Sequence, residues 1–229
     1  MAKNDCTVAV LFDLEDTLVK TPWTDHKHVI EFRRKTREKL IELGIPSSLL
    51  EGIERATIMR NKAIEYIEKN LTKAEAEKIS QEMEKFLIRY ELDSAKKSKL
   101  FPETISTLEK LKKLGVKMGL VTNTSMKATE TVFLLHGLKS YFDAVVTREK
   151  VKKLKPDPKG VLLAVSKLDA KRFFMVGDLV HDAIAAKDAN VTSIIVKRSF
   201  EDEMDFQADH VVRSLNEVLD IIQAKKRKS

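Results

Sequence analysis

Three carboxylic acids crowd the end of one apolar run. In Val10-Leu11-Phe12-Asp13-Leu14-Glu15-Asp16-Thr17-Leu18, Asp13, Glu15 and Asp16 fall within four residues. Like charges this close raise one another's pKa unless a cation neutralises them, and a hard divalent ion such as Mg2+ is the natural partner for such oxygens. Carboxylates with magnesium suggest phosphate chemistry, and a carboxylate can itself be the nucleophile, forming an aspartyl-phosphate that water then cleaves. Asp is also common in solvated strand-to-loop turns. This segment alone does not choose between the two.

Three later segments bear on the choice. Gly119-Leu120-Val121-Thr122-Asn123 is a second apolar run ending in a hydroxyl, followed by a helix start whose N–H groups can hold an anion. Lys155-Pro156-Asp157-Pro158 sets a lysine before a rigid turn in which Asp157 can cap and Pro158 can open a helix. A fixed lysine can offset phosphate charge that develops in a transition state. Phe173-Phe174-Met175-Val176-Gly177-Asp178 runs from an apolar strand into an acid, with Asp182 four residues on. Gly177 permits close approach of the backbone. Each has an ordinary reading too: a helix cap for Thr122, one lysine among many for Lys155, capping for the acid pair, and a surface neighbour for His181.

The elements that must position these residues follow from periodicity. Thr7 to Phe12 is a short continuous apolar run of the kind buried on both faces of a parallel sheet, with Cys6 entering it as a small apolar residue. From about Thr21 to Lys97 no strand pattern occurs, and three helical patterns follow one another. Gly44-Ile45-Pro46-Ser47 ends the first and offers an N-cap to the second, and Leu71-Thr72 does the same for the third. Beyond Phe101-Pro102, helices over 103–114, 126–136, 158–168, 180–189 and 214–225 alternate with strands over 116–122, 143–146, 172–177, 191–196 and 209–212. That rhythm predicts an α/β fold, a Rossmann-like parallel-sheet core with helices on both faces. The division expected is a core of residues 1–19 and 98–229 with an inserted all-helical cap of residues 20–97, placed where ligands bind in open α/β sheets.

The 229 residues are 43% hydrophobic and 34% charged, which suits a folded soluble protein rather than a disordered one. A single cysteine excludes an intramolecular disulfide and a multi-cysteine zinc site. No signal-peptide or membrane-spanning run is seen, so a cytoplasmic protein without membrane contact is expected. The formal charge of +7 includes the tail Lys225-Lys226-Arg227-Lys228, read as a frayed, solvated end, and Lys and Glu are otherwise mixed at helical spacing. Nucleic acid is therefore not an expected partner.

Taken in order, the four segments resemble the haloacid dehalogenase superfamily of hydrolases, in particular its phosphoglycolate phosphatase-like members with an all-helical cap. The resemblance implies a magnesium-dependent phosphatase that acts on a small phosphorylated metabolite, as a monomer or homodimer. It implies that Asp13 is the nucleophile and a metal ligand, and that Glu15 gives its backbone carbonyl to the metal. Thr122 would bind the phosphoryl oxygens, helped by Asn123. Lys155 would pair with nucleophile and phosphate, Asp178 would be the acidic metal ligand and Asp182 the outer acid supporting it. The cap would read the leaving group, with Trp23, Arg33, Arg37 and Arg60 as candidates; phosphoglycolate, sugar phosphates and nucleotides remain open.

The departure from the family pattern lies in the first segment, where the family's second aspartate and following glycine are Glu15 and Asp16. Glutamate keeps the proton chemistry of the general acid and base, but its extra methylene moves the carboxyl by roughly 1 Å. Asp16, which reaches left-handed backbone more readily than most residues, is the other candidate acid. Two readings compete with the phosphatase. One is a metal-free 2-haloacid dehalogenase, against which the pair Asp178 and Asp182 argues; the other is a weakly active phosphate-ligand binding or regulatory protein.

Overall fold

The computed structural model describes residues 7–22, 26–198 and 207–227. The expectations for Cys6, Trp23 and Lys228 lie outside the described residues. Strand β1 (Val8–Phe12) is buried along its whole length. Val8, Val10 and Phe12 pack into one core, and Ala9 and Leu11 into another on the opposite face. Burial on both faces is why the strand reads as an unbroken apolar run.

A two-stranded ribbon of β2 (Val19–Lys20) and β3 (Lys99–Leu100) brackets three helices: α1 (His26–Glu42), α2 (Ala56–Asn70) and α3 (Lys73–Lys97). The chain then alternates through α4 (Thr104–Lys113), β4 (Lys117–Val121), α5 (Met126–His136), β5 (Ala144–Val146), α6 (Lys159–Val165) and β6 (Arg172–Gly177). It closes with α7 (Val180–Asp188), β7 (Thr192–Val196), β8 (His210–Val212) and α8 (Leu215–Arg227). The six main strands pair in parallel in the order β5-β4-β1-β6-β7-β8. Strand order reverses on either side of β1, so the carboxyl ends of β4, β1 and β6 form a switch point, where ligands bind in such sheets.

The three-helix block has its own core of Leu40, Ile45, Leu50, Met59, Ile67 and Met83 among others. Thr72 caps α3 as expected, in a reciprocal capping box with Glu75. Ser47, in contrast, does not cap the second helix. Ser47–Leu50 forms a short 3-10 turn, Gly52 takes φ 67°, and α2 starts only at Ala56. A left-handed residue ends a helical run, and the carbonyls it frees need donors. Arg37 supplies them, donating to the carbonyls of Leu50 and Ile53. The basic tail also differs from a frayed end. Helix α8 runs on to Arg227, Lys226 donates to the Leu114 carbonyl, and the Lys225 carbonyl accepts from Arg172 at 3.0 Å. Among the described residues no helix is long and apolar enough to cross a membrane.

Candidate active site at the carboxyl edge of the sheet

Asp13 and Thr122 are each the first residue past a strand, yet both remain in the ladder. Asp13 N–H donates to the Val176 carbonyl at 2.8 Å, and Thr122 N–H to the Val146 carbonyl at 3.0 Å. Their side chains thus inherit the rigidity of the sheet. Asp178 leaves β6 alongside them, and Asp182 comes back to the same point from the first turn of α7. One carboxylate oxygen from each of Asp13, Asp178 and Asp182 lies within 4.8 Å of the others. Three convergent carboxylates make a hard donor set that fits a divalent cation taking oxygen ligands. The Glu15 side chain is not in that cluster.

Lys155, 4% exposed, reaches into this acid group from the β5–α6 connection. Its ammonium donates to Asp13 Oδ1 at 2.8 Å, Asp182 Oδ1 at 2.6 Å and the Val121 carbonyl at 2.8 Å. All three of its protons are used, so its place is fixed. Burial alone would lower the lysine's pKa, but the attraction of Asp13 and Asp182 outweighs it and holds the ammonium above its ordinary value. Burial pushes Asp13 up to about 6 against the pull of Lys155, with Asp182 adding to the rise. Asp178 is raised well above the carboxylate range, by burial first and then by Asp182 and Asp13. A buried acid cluster with one lysine is short of positive charge.

Glu15 and Asp16 part company in the turn that follows. Asp16 takes φ 55°, a left-handed conformation, and its carboxylate accepts from Thr21 N–H at 2.9 Å and from Thr21 Oγ1 at 3.1 Å. It closes the turn. Glu15 instead points to the site, where Oε2 accepts from Thr124 Oγ1 at 2.9 Å. Burial, and after it the neighbouring Glu91 and Asp16, pushes the Glu15 carboxyl up to about 8, so it carries a proton at neutral pH.

Asn123 lines the crevice beside Asp13 and Thr122. Its amide forms a two-way clasp on the backbone of Lys155, accepting from Lys155 N–H at 3.0 Å and donating to the Lys155 carbonyl at 3.2 Å. Asn61 on α2 clasps Leu154 in the same way at 3.0 and 2.9 Å, and Arg60 donates to the Lys152 carbonyl at 3.0 Å. The lysine-bearing loop is therefore gripped from the sheet and from the helical block. Of the arginines expected to read a ligand, Arg60 is buried against Glu84, and Arg37 holds the 3-10 turn. Arg33 does line the crevice above Asp13, a space of about 200 Å³, together with Val29 and Phe32.

Several site residues carried no readable signal in the sequence. Arg55, in the loop before α2, lines the crevice, and burial first and then the Arg55 charge lower the pKa of Arg33. His181 is buried rather than a surface neighbour. It faces the same crevice, and burial, then the Arg55 charge, lowers it to about 4. Arg148, 2% exposed, pairs with Glu84 and Glu91 of α3, while Glu91 Oε2 also accepts from Ser125 N–H at 3.1 Å. Glu84 and Glu91 recur seven residues apart on α3 like any solvated face, and only the tertiary fold brings Arg148 against them.

The model of a protein family described as "Haloacid dehalogenase-like hydrolase" matches residues 10–196. The chain is 35% identical over 129 residues to "Pyrophosphatase PpaX" of Bacillus velezensis, an alignment covering 54% of this chain and 60% of that protein. It is 28% identical to "Glyceraldehyde 3-phosphate phosphatase" of Methanocaldococcus jannaschii over 95% of this chain and 98% of that protein. Among solved structures, an HAD phosphatase from Thermococcus onnurineus superposes with a TM-score of 0.59 at 28% identity, covering 94% of this chain and 98% of that one.

Proposed function

The chain belongs to the haloacid dehalogenase-like hydrolases, and on that premise we propose that it is a magnesium-dependent phosphohydrolase that cleaves a small phosphomonoester through a phosphoryl group carried on Asp13. The observation that carries this reading is the Lys155 ammonium bridging Asp13 and Asp182 at the carboxyl edge of the central strands. The lysine orients the Asp13 carboxylate and leaves positive charge where a phosphoryl group would arrive. Asp13 and Asp178, with the backbone carbonyl of Glu15 and with Asp182 behind them, would hold Mg2+, which supplies charge against the phosphoryl oxygens.

The steps assigned to the chain's own residues are these. An oxygen of Asp13 bonds to phosphorus as the bond to the leaving oxygen breaks, and protonated Glu15 gives its proton to that oxygen. Water then gives a proton to the Glu15 carboxylate and attacks phosphorus, the Asp13–phosphorus bond breaks, and phosphate leaves. Thr122, on the same sheet edge, donates to the phosphoryl oxygens. The helical block roofs the site as a cap, and Arg33 and Arg55 give its wall positive charge toward a leaving group small enough for the crevice. The matched relatives named for pyrophosphate and glyceraldehyde 3-phosphate point to substrates of that size. The crowding of carboxylates argues against a metal-free dehalogenase, since an anionic substrate gains nothing from uncompensated negative charge.

The test is phosphate release from p-nitrophenyl phosphate by the purified protein with Mg2+. The reading expects release to stop on chelation, and an acid-quenched single turnover to leave a phosphoryl adduct on the peptide that carries Asp13. Release that continues in chelator, or an adduct elsewhere, overturns it.

Gly177 offers a sharper probe of the acid cluster. A Cβ there would lie 2.2 Å from Asp182 Cγ and 2.3 Å from Oδ2, so the whole carboxylate must move. That carboxylate holds Lys155 through Oδ1 and accepts from Leu179 N–H through Oδ2 at 3.1 Å. Losing a group that orients ligands commonly costs 10–100-fold in metal affinity or activity. Gly177→Ala is expected to raise the magnesium concentration for half-maximal phosphate release by at least about tenfold, measured by titration at saturating ester.

A further inference from the structure

Glu15 carries its acid on a longer arm than an aspartate would, with one more rotatable bond. An arm with more rotamers must be tied down to deliver a proton along one path. The structure shows both ends tied. The base is held by Asp16, whose N–H donates to the Val19 carbonyl at 2.7 Å and whose carboxylate is closed on Thr21. The tip is held by Thr124, whose hydroxyl donates to Glu15 Oε2 at 2.9 Å.

Thr124 is itself rigid. It is 3% exposed, its N–H donates to Thr122 Oγ1 at 3.2 Å, and its carbonyl accepts from Arg148 N–H at 3.1 Å. A hydroxyl donor on one oxygen leaves the other to carry the proton. Once that proton has gone to the leaving oxygen, the same hydrogen bond is made to a carboxylate and strengthens.

Resting on the phosphohydrolase reading above, we infer that Thr124 is a positioning residue that fits Glu15 to the general-acid role, so that Glu15 and Thr124 act as one unit. An aspartate at position 15 stops one methylene short of this hydroxyl, so the two residues must be energetically coupled.

The experiment is a double-mutant cycle on full-length protein with Mg2+, combining Thr124→Val, Thr124→Ser and Glu15→Asp. It compares kcat/KM for two esters, p-nitrophenyl phosphate, whose leaving group needs little protonation, and 2-hydroxyethyl phosphate, whose alkoxide needs a proton. Thr124→Val is expected to lower kcat/KM for 2-hydroxyethyl phosphate by about ten- to a hundredfold, as befits a lost hydrogen bond to a charged group. The loss for p-nitrophenyl phosphate should be several-fold smaller. Thr124→Ser should restore most of the loss, and in the Glu15→Asp background Thr124→Val should change the ratio of the two esters by less than about twofold. Equal losses for both esters, no recovery with serine, or the same loss in both backgrounds overturns the inference while leaving the hydrolase reading intact. No phosphate from either ester with wild-type protein overturns both.

Discussion

Asp13→Asn is expected to abolish turnover, lowering kcat for phosphate release by roughly four to six orders of magnitude, the scale on which a missing covalent nucleophile shows itself. The substitution changes little else. An amide oxygen can still accept from Lys155, and Asp182 still pairs with that lysine, so the fold and the place of Lys155 are kept. What disappears is the anionic oxygen that bonds to phosphorus, and one carboxylate from the set Asp13, Asp178 and Asp182. The two losses separate by measurement. If Asp13 served only the cation, excess Mg2+ would recover most of the rate; a nucleophile that is absent is not recovered by any concentration. Stopped assays with and without high Mg2+, on protein whose far-UV circular dichroism matches wild type, decide it. Turnover within about tenfold of wild type would move the covalent step to another residue.

The central strands were legible because they follow one rule. A strand segment buried on both faces must be apolar, as in all of Val8–Phe12 and in residues 174–177 at the end of β6, and each such run stops where the chain turns polar at the sheet edge. Asp13, Thr122 and Asp178 mark those stops, so strand ends and chemistry are written in the same few letters. The residues that fix the loop after Thr122 were not legible. Arg148, Glu91 and Thr124 are ordinary polar letters whose partners lie 57 and 109 positions away along the chain. Asn123 adds a second case: it lines the crevice, and its side-chain amide also pairs with the N–H and carbonyl of Lys155, 32 positions away, which no local pattern announces. The start of α2 departs from the local sequence pattern for a related reason. Pro46-Ser47 is a valid helix start, and what defers the helix to Ala56 is Gly52 in the left-handed region together with Arg37 reaching across from α1.

Lys155→Met is expected to damage stability and rate together, and pH and Mg2+ should pull the two effects apart. Breaking a buried ion pair from one side leaves uncompensated charge and costs about 3–5 kcal/mol. For a chain of this length that is a fall in Tm of roughly 10 °C. The sign with pH follows from Asp13. Its folded pKa of about 6 lies above the ordinary 3.8, so the folded state binds more protons, and its contribution is present at low pH and lost as pH rises through about 6. Lys155 is what restrains that rise. Without it the acids are pushed higher still, so the gap in Tm between variant and wild type should be small near pH 5 and widen toward pH 8 in metal-free protein. His181, held low at about 4, titrates in the opposite sense, but it is present in both proteins and its share largely cancels in the comparison. Millimolar Mg2+ offers the cluster a second source of positive charge, so it should stabilise the variant more than wild type. The rate should not follow. A cation can offset the charge of Asp13 and Asp182, but it cannot replace an ammonium fixed by three hydrogen bonds, and kcat should stay down by about a thousandfold or more. A variant whose Tm deficit is the same at pH 5 and pH 8, or is untouched by Mg2+, would place the Lys155 contribution in packing rather than charge.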